Sequence, residues 1–387
     1  MLSKAYPHPE ERPKSLPQAR TGGASRRTQD GYAVLPSLVR PARPAQQRQR
    51  GLVAELIADQ AVLALLHELA AWPKPGLVSY VDSGSHTDMH AAMLQASAEA
   101  LRPFFAELAR AGQDGSNMAR LRAIGLRAET AMLAATGGVN THRGAIFGLG
   151  LLCAAAGTVA EVSTDGAAVA PARLGNIVMR RWAADIGRGP IPLFSHGAAA
   201  LRRYGAGGAR GEAAGGFRSV YEVGLPALRE GRSLQPGDPD APPVQACFAL
   251  IAAACDTNLL HRGGADGLRY ASEAASSFLS QGGVSAPDWR ARAAAVHAAF
   301  VARRLSPGGC ADLLAMTLFV DALEDGVALR TPNVPPANFV TDSVPVCAPA
   351  LDPNRRLSCH DGNGPSRRLT DFPARSRNNP VGWRADR

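Results

Sequence analysis

Four short segments combine glycine with cations, carboxylates or amides in a chain otherwise dominated by alanine and leucine. Backbone N–H groups at helix ends, fixed positive charge and carboxylates that hold a metal are together what a polyphosphate requires. The segments therefore predict an enzyme that uses a nucleotide. They are residues 74–89, 138–144, 256–264 and 306–312.

The first segment places a lysine on a stiffened turn. Prolines flank Lys74 and restrict the backbone, while Gly76 allows the chain to turn, so Lys74 is expected at a fixed position facing an anion. Downstream, Asp82, His86 and Asp88 precede a predicted helix, where one or two carboxylates suit magnesium beside phosphate oxygens. The alternative for this segment alone is a capped loop with solvated charges.

The second segment predicts a helix start. Asn140 or Thr141 is the expected N-cap, and His142 and Arg143 fall in the first turn. A cation at that position opposes the helix dipole, so Arg143 predicts an anionic ligand. Pairing of Arg143 with a carboxylate elsewhere in the fold is the alternative.

The third segment predicts a helix end. Asp256 and Asn258 are expected in the last turns of an apolar helix over 243–261, with Arg262 at the end and Gly263 as the terminating residue. Cations are favourable at a helix C-terminus, whereas acids are not. Asp256 therefore predicts a bound cation, whether a metal, an arginine or a substrate.

The fourth segment opens the last predicted helix. Gly308 and Gly309 leave backbone N–H donors free, and Asp312 lies in the first turn. The segment thus predicts an anion cradle or, alternatively, ordinary capping. Separately, Glu212 lies beside Arg210 in a glycine-rich stretch predicted as a loop, and this carboxylate is a candidate base.

The net charge of +9 lies in the two ends of the chain. Residues 1–50 hold ten Lys and Arg against three Asp and Glu, and residues 326–387 hold nine against five. The body between them, 51–325, has 23 basic and 25 acidic residues. It therefore has no excess charge with which to wrap a nucleic acid, and no nucleic-acid partner is expected.

Cysteine usage and hydropathy indicate the compartment. The six cysteines include no CxxC pair, so no disulfide framework is expected and a reducing cytoplasm is predicted. No apolar run is expected to approach the roughly 18 to 20 residues that span a bilayer. A membrane partner is therefore not predicted.

The periodicity predicts an all-α fold, a single compact multi-helix domain over 51–325, because strand-like alternation is almost absent. Aromatic residues are only 5%, so alanine and leucine must build the core through close helix packing. The ends, 1–50 (basic) and 326–387 (rich in Pro and Arg), are predicted to be disordered, and 188–218 and 229–242 are predicted as long loops.

The first helix is predicted over 51–71, with Leu52 and Leu56 on the same apolar face as Leu63 and Leu66, and Glu68 among the polar residues of the other faces. Further helices are predicted over about 88–111, 117–136, 144–158, 172–187, 243–261, 267–280, 287–304 and 309–325.

Taken in order, these motifs resemble those of the triphosphoribosyl-dephospho-CoA synthase family. The likeness covers about 51–325 and includes neither end. Within it, the run Val78-Ser79-Tyr80-Val81-Asp82 is more similar to the malonate decarboxylase branch than to the citrate lyase branch. The motifs are Lys74-Pro75-Gly76-Leu77-Val78, Asp82-Ser83-Gly84-Ser85-His86, Asn140-Thr141-His142-Arg143-Gly144, Arg210-Gly211-Glu212 with Phe217, Asp256-Thr257-Asn258 with His261-Arg262-Gly263-Gly264, and Pro307-Gly308-Gly309 with Ala311-Asp312-Leu313-Leu314.

The resemblance implies a pentosyl transfer. ATP, as substrate, loses adenine, and its triphosphoribosyl group passes to a ribose hydroxyl of 3′-dephospho-CoA. The product is the precursor of the prosthetic group on a malonate decarboxylase acyl-carrier subunit, or that of citrate lyase. It would pass to a transferase that forms the holo-acyl-carrier protein.

The expected roles follow from combining this reaction with the residues above. Base or electrostatic duty is expected of Asp256, Glu212 or His142, and Mg²⁺ binding of Asp82, Asp88 or Asp256. The residues expected to bind ATP or the second substrate are Lys74, Ser83, His86, Asn140, Arg143, Arg210, Asn258, Arg262, Gly308, Gly309 and Asp312.

Two other functions are open from the sequence. One is an N-glycosidic hydrolase on a helical scaffold with magnesium and carboxylates, acting on an ADP-ribose-like substrate. The other is a non-catalytic helical interaction protein whose basic ends bind acidic partners, which leaves the clustered motifs unexplained.

Overall fold

The computed structural model describes residues 43–163, 173–190, 196–324 and 329–332, and in these residues every regular element is a helix. The all-α prediction is confirmed, and the described helices belong to one compact unit. They are α1 (Arg43–Ala70), α2 (Ala91–Gln113), α3 (Met118–Ala135), α4 (Arg143–Ser163), α5 (Leu174–Arg188), α6 (His196–Tyr204), α7 (Gly208–Ala214), a π-helical turn (Ser219–Gly224), α8 (Leu225–Leu234), α9 (Ala241–Ala253), α10 (Thr257–Ser280), a 3₁₀ turn (Gly283–Ser285), α11 (Trp289–Ala302) and α12 (Gly308–Glu324).

Helices α1, α2, α4 and α12 pack along one another at the centre of the domain. Small residues permit the closest crossing, between α2 and α4. A Cβ atom on Gly112 would lie 1.8 Å from the Ala154 carbonyl oxygen, and one on Gly157 would lie 2.0 Å from the Ala109 carbonyl oxygen. The two backbones therefore touch, as the low aromatic content predicts.

Helix α1 buries a different face from the one that its leucines predict. Leu52 and Leu56 are 66% and 64% exposed, whereas Ala54, Ala58 and Glu68 are buried. The prediction was wrong because alanine, with its short side chain, is what allows α1 to lie close to α2 and α12. A leucine face would hold these helices further apart.

Both stretches predicted as long loops contain helices. Residues 188–218 hold α6 and α7, and residues 229–242 hold the second half of α8. Leu225 and Leu228, one turn apart in α8, are both buried. Their packing stabilises a helix whose remaining sequence is polar enough to suggest a loop.

The helix predicted over 243–261 is in fact two helices. Helix α9 ends at Ala253, and α10 begins at Thr257 and continues past the predicted end. Asp256 lies between them with extended backbone angles (φ −71°, ψ 118°). Gly263 is inside α10, and the local break is a kink at Gly264, where φ is 63°.

The described part extends beyond the predicted domain at both ends. Helix α1 starts at Arg43, within the segment 1–50 that was predicted to be disordered. At the other end, the backbone N–H of Leu329 donates to Gln60 of α1 at 3.0 Å, so this part of 326–387 is ordered against α1. The remaining residues of both predicted tails lie outside the described residues.

Helix α4 contains an 18-residue window, Arg143–Ala160, with a mean hydropathy of 1.5, which corrects the expectation that no such stretch exists. However, 67% of this window is buried inside the protein, where α4 packs on α2 and α12. Helices α9 and α10 meet the same criterion only if the pair, bent by 58°, is one span. Burial of this kind is typical of a core helix.

The close contact between α2 and α4 predicts that larger side chains at the crossing destabilise the protein. Gly112→Ala or Gly157→Ala should lower the free energy of unfolding by about 1–3 kcal/mol, because the new methyl group meets backbone that cannot move aside. Gly51→Ala in α1, where a Cβ atom meets nothing within 4 Å, is the matched control and should raise stability by about 0.5–1 kcal/mol. Urea unfolding measures all three; equal effects would contradict the backbone contact.

Candidate active site

A cavity of about 1290 Å³ opens between α3, α4, α7 and the N-terminal ends of α10 and α12. Cavities that hold one small ligand commonly measure about 300–1,000 Å³, so this one has room for two. All four predicted segments line it, through His86, Asn140, Asp256 and Asp312 among others. The sequence prediction that distant segments converge on one cavity is therefore correct.

Asp256 joins the N-termini of two helices. One carboxylate oxygen accepts the backbone N–H groups of Asn258 (2.7 Å) and Leu259 (3.1 Å) in α10, and the other accepts that of Cys310 (2.8 Å) in α12. Asp256 is thus the N-cap of α10, so the prediction that it lies in the last turns of a helix, where an acid calls for a bound cation, was wrong. Burial raises the pKa of this carboxyl, and the N–H groups act against that rise.

Asp312 has the equivalent position at α4. Its buried carboxylate accepts the backbone N–H of Ala145 and lies so close to Gly144 that a Cβ there would be 2.0 Å from Oδ2. Burial, together with the charges of Glu68 and Asp256, holds the pKa of Asp312 well above its usual range. Three helix N-termini therefore meet at two buried carboxylates on the cavity wall.

Lys74 is completely buried and does not reach the cavity. Its Nζ donates to the Glu68 carbonyl oxygen and, at 2.5 Å, to Glu68 Oε1. The prediction of a lysine that faces an anion was wrong, because the neighbouring carboxylate at the end of α1 takes the ammonium group. Glu68 does line the cavity, and its pKa is raised by burial and lowered by Lys74.

Asp82 does not line the cavity and pairs with His297 at 3.1 Å. His297 Nδ1 donates to the Lys74 carbonyl oxygen at 2.6 Å. Because a carbonyl oxygen only accepts, Nδ1 carries a proton. When the imidazole is charged, Nε2 is protonated as well and donates to Asp82. Ser83 does not line the cavity either. The structure therefore does not bring Asp82 or Ser83 to the predicted site.

His86 and Arg262 form a connected pair at the rim. Arg262 donates to His86 Nδ1 (3.2 Å) and to the carbonyl oxygens of Ser85 (3.1 Å) and Arg304 (3.2 Å). His86 Nε2 then donates to Ser306 Oγ at 2.8 Å. Burial and the charge of Arg262 lower the pKa of His86, against a weaker attraction to the nearby carboxylate of Asp88.

Arg143 has the carboxylate partner that the sequence left open. Its Nε lies 3.1 Å from Glu129 Oε2 on α3, and both residues line the cavity. Asn140 caps α4, because its Oδ1 accepts the Arg143 backbone N–H at 3.2 Å. Both side chains of this pair are partly exposed, so Arg143 is accessible to a ligand.

His142 is buried, and its ring is oriented by two hydroxyl groups. Thr141 Oγ1 donates to Ser97 Oγ (2.8 Å), which lies 2.7 Å from His142 Nδ1. The Ser97 hydroxyl proton is thus directed to Nδ1, which leaves the proton of the neutral ring on Nε2. Burial lowers the pKa of His142 to about 4, so the neutral ring is the form present near pH 7.

Glu212 and Arg210 lie on α7 and line the cavity. The Ser219 hydroxyl donates to Glu212 Oε1 at 2.6 Å. Arg210 donates to backbone carbonyls at the end of α5, including those of Gly189 (2.9 Å) and Pro190 (2.8 Å). Arg210 therefore caps α5, and no carboxylate within the described ranges pairs with its charge.

Asn258, Gly308 and Gly309 line the cavity where α10 and α12 begin. A Cβ atom on Gly308 would be 3.0 Å from Asn258 Nδ2, and one on Gly309 would be 2.9 Å from Asp256 Oδ2. Glycine at these positions lets the first turn of α10 lie against the first turn of α12. Asp256 accepts one N–H group of this turn, that of Cys310, and the binding of an anion by the turn stays a prediction.

No group of three or more His, Cys, Asp or Glu side chains in the described residues is arranged to hold a metal ion alone. Of the three predicted metal ligands, Asp88 and Asp256 line the cavity and Asp82 does not. Magnesium usually keeps water and takes one or two protein carboxylates beside phosphate oxygens. The cavity carboxylates fit such a shared site, with a polyphosphate completing the coordination.

Several residues of the site were missed from the sequence. Glu68 was assigned to a polar face, although an acid in the last turn of an apolar helix is a signal of burial or function. Ser97 gave no signal, being a single hydroxyl in an alanine-rich helix. Arg122 and Glu129 also line the cavity, but charges seven residues apart on one helix face are common on exposed helices.

An all-α enzyme with a cavity for polyanionic ligands is the class that this fold and site define. Residues 54–331 match the ATP:dephospho-CoA triphosphoribosyl transferase family. The chain belongs to this family and is a transferase, so the family resemblance is confirmed. No solved structure matches the chain.

Named relatives agree with the family match. The probable 2-(5″-triphosphoribosyl)-3′-dephosphocoenzyme-A synthase of Stutzerimonas stutzeri is 41% identical over 281 residues, covering 71% of this chain and 94% of the relative. The protein with the same name from Pseudomonas fluorescens strain Pf-5 is 42% identical over 284 residues (72% and 94%). The 2-(5″-triphosphoribosyl)-3′-dephosphocoenzyme-A synthase of Klebsiella pneumoniae is 38% identical over 299 residues (75% and 97%).

The buried pair of Lys74 and Glu68 predicts a large and pH-dependent effect of breaking it. Lys74→Met should lower the free energy of unfolding by about 3–5 kcal/mol near neutral pH, because Glu68 is left buried without a countercharge. Glu68 then binds its proton more tightly in the folded state than in the unfolded state, so the variant should lose stability as pH rises from about 4.

Urea unfolding of Lys74→Met at several pH values measures this effect. The double variant Lys74→Met/Glu68→Leu should recover most of the loss, since apolar replacement of both partners is tolerated. Arg120→Ala, which breaks an exposed pair with Glu107, should cost at most about 1 kcal/mol. A pH-independent loss in Lys74→Met would contradict the assignment.

The pair of Asp82 and His297 predicts a stability contribution within a pH window. Burial alone would raise the pKa of Asp82, but the hydrogen bond and charge of His297 lower it below 3.8. Burial alone would lower the pKa of His297, but Asp82 and the Lys74 carbonyl raise it above 6.5. The Asp82 contribution is lost as pH falls and the His297 contribution as pH rises.

The difference in melting temperature between the wild type and Asp82→Asn should therefore be largest between about pH 4 and 6.5 and shrink on both sides. Thermal unfolding followed by circular dichroism at pH 3, 5.5 and 9 measures it. His297→Gln should show the same profile. A difference that keeps growing up to pH 9 would show that the imidazolium is not the partner.

Proposed function

We propose that this chain transfers the triphosphoribosyl group of ATP to a ribose hydroxyl of 3′-dephospho-CoA and releases adenine. The observation that carries the proposal is the meeting of three helix N-termini with Arg143 and Arg262 around one cavity. Helix N-termini and arginines suit a triphosphate, and the volume suits a second substrate. Membership of the family and the names of its relatives support the same reaction.

The chemistry assigns separate roles to the predicted catalytic residues. Breaking the N-glycosidic bond develops positive charge at the anomeric carbon, which a fixed carboxylate stabilises. Asp256 suits this electrostatic role because three backbone N–H groups hold it in place. Glu212 suits the base that takes the proton of the acceptor hydroxyl, since Ser219 alone among the described residues donates to its oxygens. Neutral His142 suits a hydrogen-bond donor through Nε2.

The triphosphate remains intact and serves as a handle. Arg143 and Arg262 carry charge toward it, and the backbone N–H groups around Gly308 and Gly309 supply neutral donors. A magnesium ion, when bound, would neutralise phosphate charge, with Asp88 or Asp256 as its protein ligand. Lys74 contributes indirectly, because it holds Glu68 at the cavity wall.

We further propose that the product serves a malonate decarboxylase acyl-carrier subunit, with citrate lyase as the alternative. The run Val78–Asp82 supports the malonate branch. The product would then pass to the transferase that forms the holo-acyl-carrier protein. We place the reaction in the cytoplasm, where ATP is available, and propose no nucleic-acid or membrane partner.

Glu212→Gln tests the proposed base with little risk to the fold. A glutamine amide can accept from the Ser219 N–H and donate to the Ser219 hydroxyl, so the local contacts are retained. The rate of adenine release at saturating substrates should fall by roughly 10²–10⁴-fold, the usual contribution of a general base. Glu107→Gln, on the outer surface of α2, should keep the wild-type rate.

Chromatography of adenine released from ATP, with and without 3′-dephospho-CoA, measures the activity itself. Release that depends on the acceptor, with a product whose mass equals acceptor plus triphosphoribosyl group, supports the transferase. Release of adenine and ribose triphosphate without acceptor would instead support the hydrolase. No release under either condition would reject the proposed function.

A further inference from the structure

Arg122 is a cation of the cavity wall that the reaction described above does not use. It lies on α3, half-buried, and its side chain lines the cavity. Within the described residues it makes no hydrogen bond or ion pair. Its guanidinium lies against Gly189, where a Cβ atom would be 2.3 Å from Nη2. Arg122 is thus held near the end of α5 with its donors free.

A second arginine increases the positive charge at this place. Both guanidinium groups lie at Gly189: Arg210 donates to its carbonyl oxygen at 2.9 Å, and a Cβ atom there would be 2.3 Å from Arg122 Nη2. Burial and the charge of Arg122 lower the pKa of Arg210. The donors of Arg210 are occupied by carbonyl oxygens of α5 and the residues after it. Two like charges beside free donors are stabilised by an anion, and Arg122 is the group available to contact it.

Arg122 also marks the point where the cavity continues. A second pocket of about 350 Å³ adjoins it. The two spaces share Met118, Arg122 and Pro190 as lining residues. A ligand bound at Arg122 therefore has room to extend past the guanidinium, away from the cluster of helix N-termini.

The distance between Arg122 and Glu129 along α3 is close to the length of two linked ribose units. Arg122 and Glu129 are seven residues apart, which is about 10 Å along a helix, and Glu129 holds Arg143. In the product of the proposed reaction, two joined ribose units separate the triphosphate from the diphosphate. The shortest path through the two riboses, from the nearest phosphorus of the triphosphate to that of the diphosphate, has twelve covalent bonds of about 1.5 Å. Because of the bond angles, this path spans roughly 10–15 Å.

We propose that Arg122 binds the diphosphate of 3′-dephospho-CoA and that the second pocket holds the pantetheine arm. This inference rests on the proposed function. The three helix N-termini suit the triphosphate, which carries more charge than a diphosphate. Of the two substrates, only 3′-dephospho-CoA continues beyond its diphosphate, and the cavity continues at Arg122.

Steady-state kinetics of Arg122→Ala test the assignment. The KM for 3′-dephospho-CoA should rise roughly 10- to 100-fold, as expected for losing a charge-assisted contact, while the KM for ATP and kcat stay near wild type. Arg122→Lys should recover part of the loss. Arg120→Ala, on the same helix but paired with Glu107 outside the cavity, should match the wild type. A raised KM for ATP alone, or no change for either substrate, would overturn the proposal.

Acceptor substrates that lack parts of 3′-dephospho-CoA distinguish a loss of diphosphate binding from a general disturbance of the site. Arg122→Ala should reduce kcat/KM for 3′-dephospho-CoA and for ADP, which both carry a diphosphate, and leave that for adenosine unchanged. An equal loss for all three acceptors would contradict the assignment. Gly189→Val is a second variant, because its backbone (φ −65°) accepts a side chain that displaces the guanidinium; it should repeat the pattern.

Calorimetric measurement of 3′-dephospho-CoA binding tests the Arg122 site independently of the transfer reaction. If the wild type releases no adenine with any acceptor, the transfer reaction is rejected. Binding of 3′-dephospho-CoA that weakens about 10- to 100-fold in Arg122→Ala would still support the site. Equal affinity of wild type and variant would reject the site even if the transfer reaction is correct.

Discussion

The arrangement of the site depends on burying two carboxylates where three helices begin. Asp256 accepts backbone N–H groups from α10 and α12, and Asp312 accepts one from α4. Helix N-termini attract negative charge, and converging three of them without an anion would leave buried N–H groups unsatisfied. The carboxylates supply that charge from within the protein. The fold therefore holds the three helix N-termini together without a bound ligand, and the same residues both support the fold and line the cavity.

The cavity arginines differ in what holds them, and this difference sets how they act on a ligand. Arg143 is paired with the partly exposed carboxylate of Glu129, whereas Arg262 and Arg210 are oriented by carbonyl oxygens, with His86 as a further partner of Arg262. A carbonyl fixes a guanidinium without cancelling its charge. Arg262 and Arg210 therefore carry positive charge into a cavity that also contains buried acids. A polyanion entering this space meets oriented charge with little rearrangement of the protein.

The sequence predicted the fold class and the segments that form the site, but not how each side chain is held. Glycine-flanked polar motifs are visible without coordinates, so Asn140, Asp312 and their neighbours were identified. Asp256 was misassigned because residues 246–255 are continuously apolar and no glycine or proline marks the break before it. Lys74 was misassigned because its partner belongs to a helix whose leucine pattern suggested another buried face. Both errors concern tertiary packing. The contacts between helices decide which residues are buried, and the local periodicity of the sequence does not.

The segment that follows Lys74 shows how a buried pair contributes to a surface several residues away. Glu68 fixes the Lys74 side chain, and the Lys74 carbonyl accepts from His297, which in turn pairs with Asp82. Asp82 accepts the backbone N–H of Gly84, and the next carbonyl, that of Ser85, accepts from Arg262. Each contact restricts the loop further, so the entropy of ordering it is lost during folding and not on ligand binding. The rim residue His86 is consequently positioned by packing far from the ligand, and we infer that this wall of the cavity is formed in advance of the substrates.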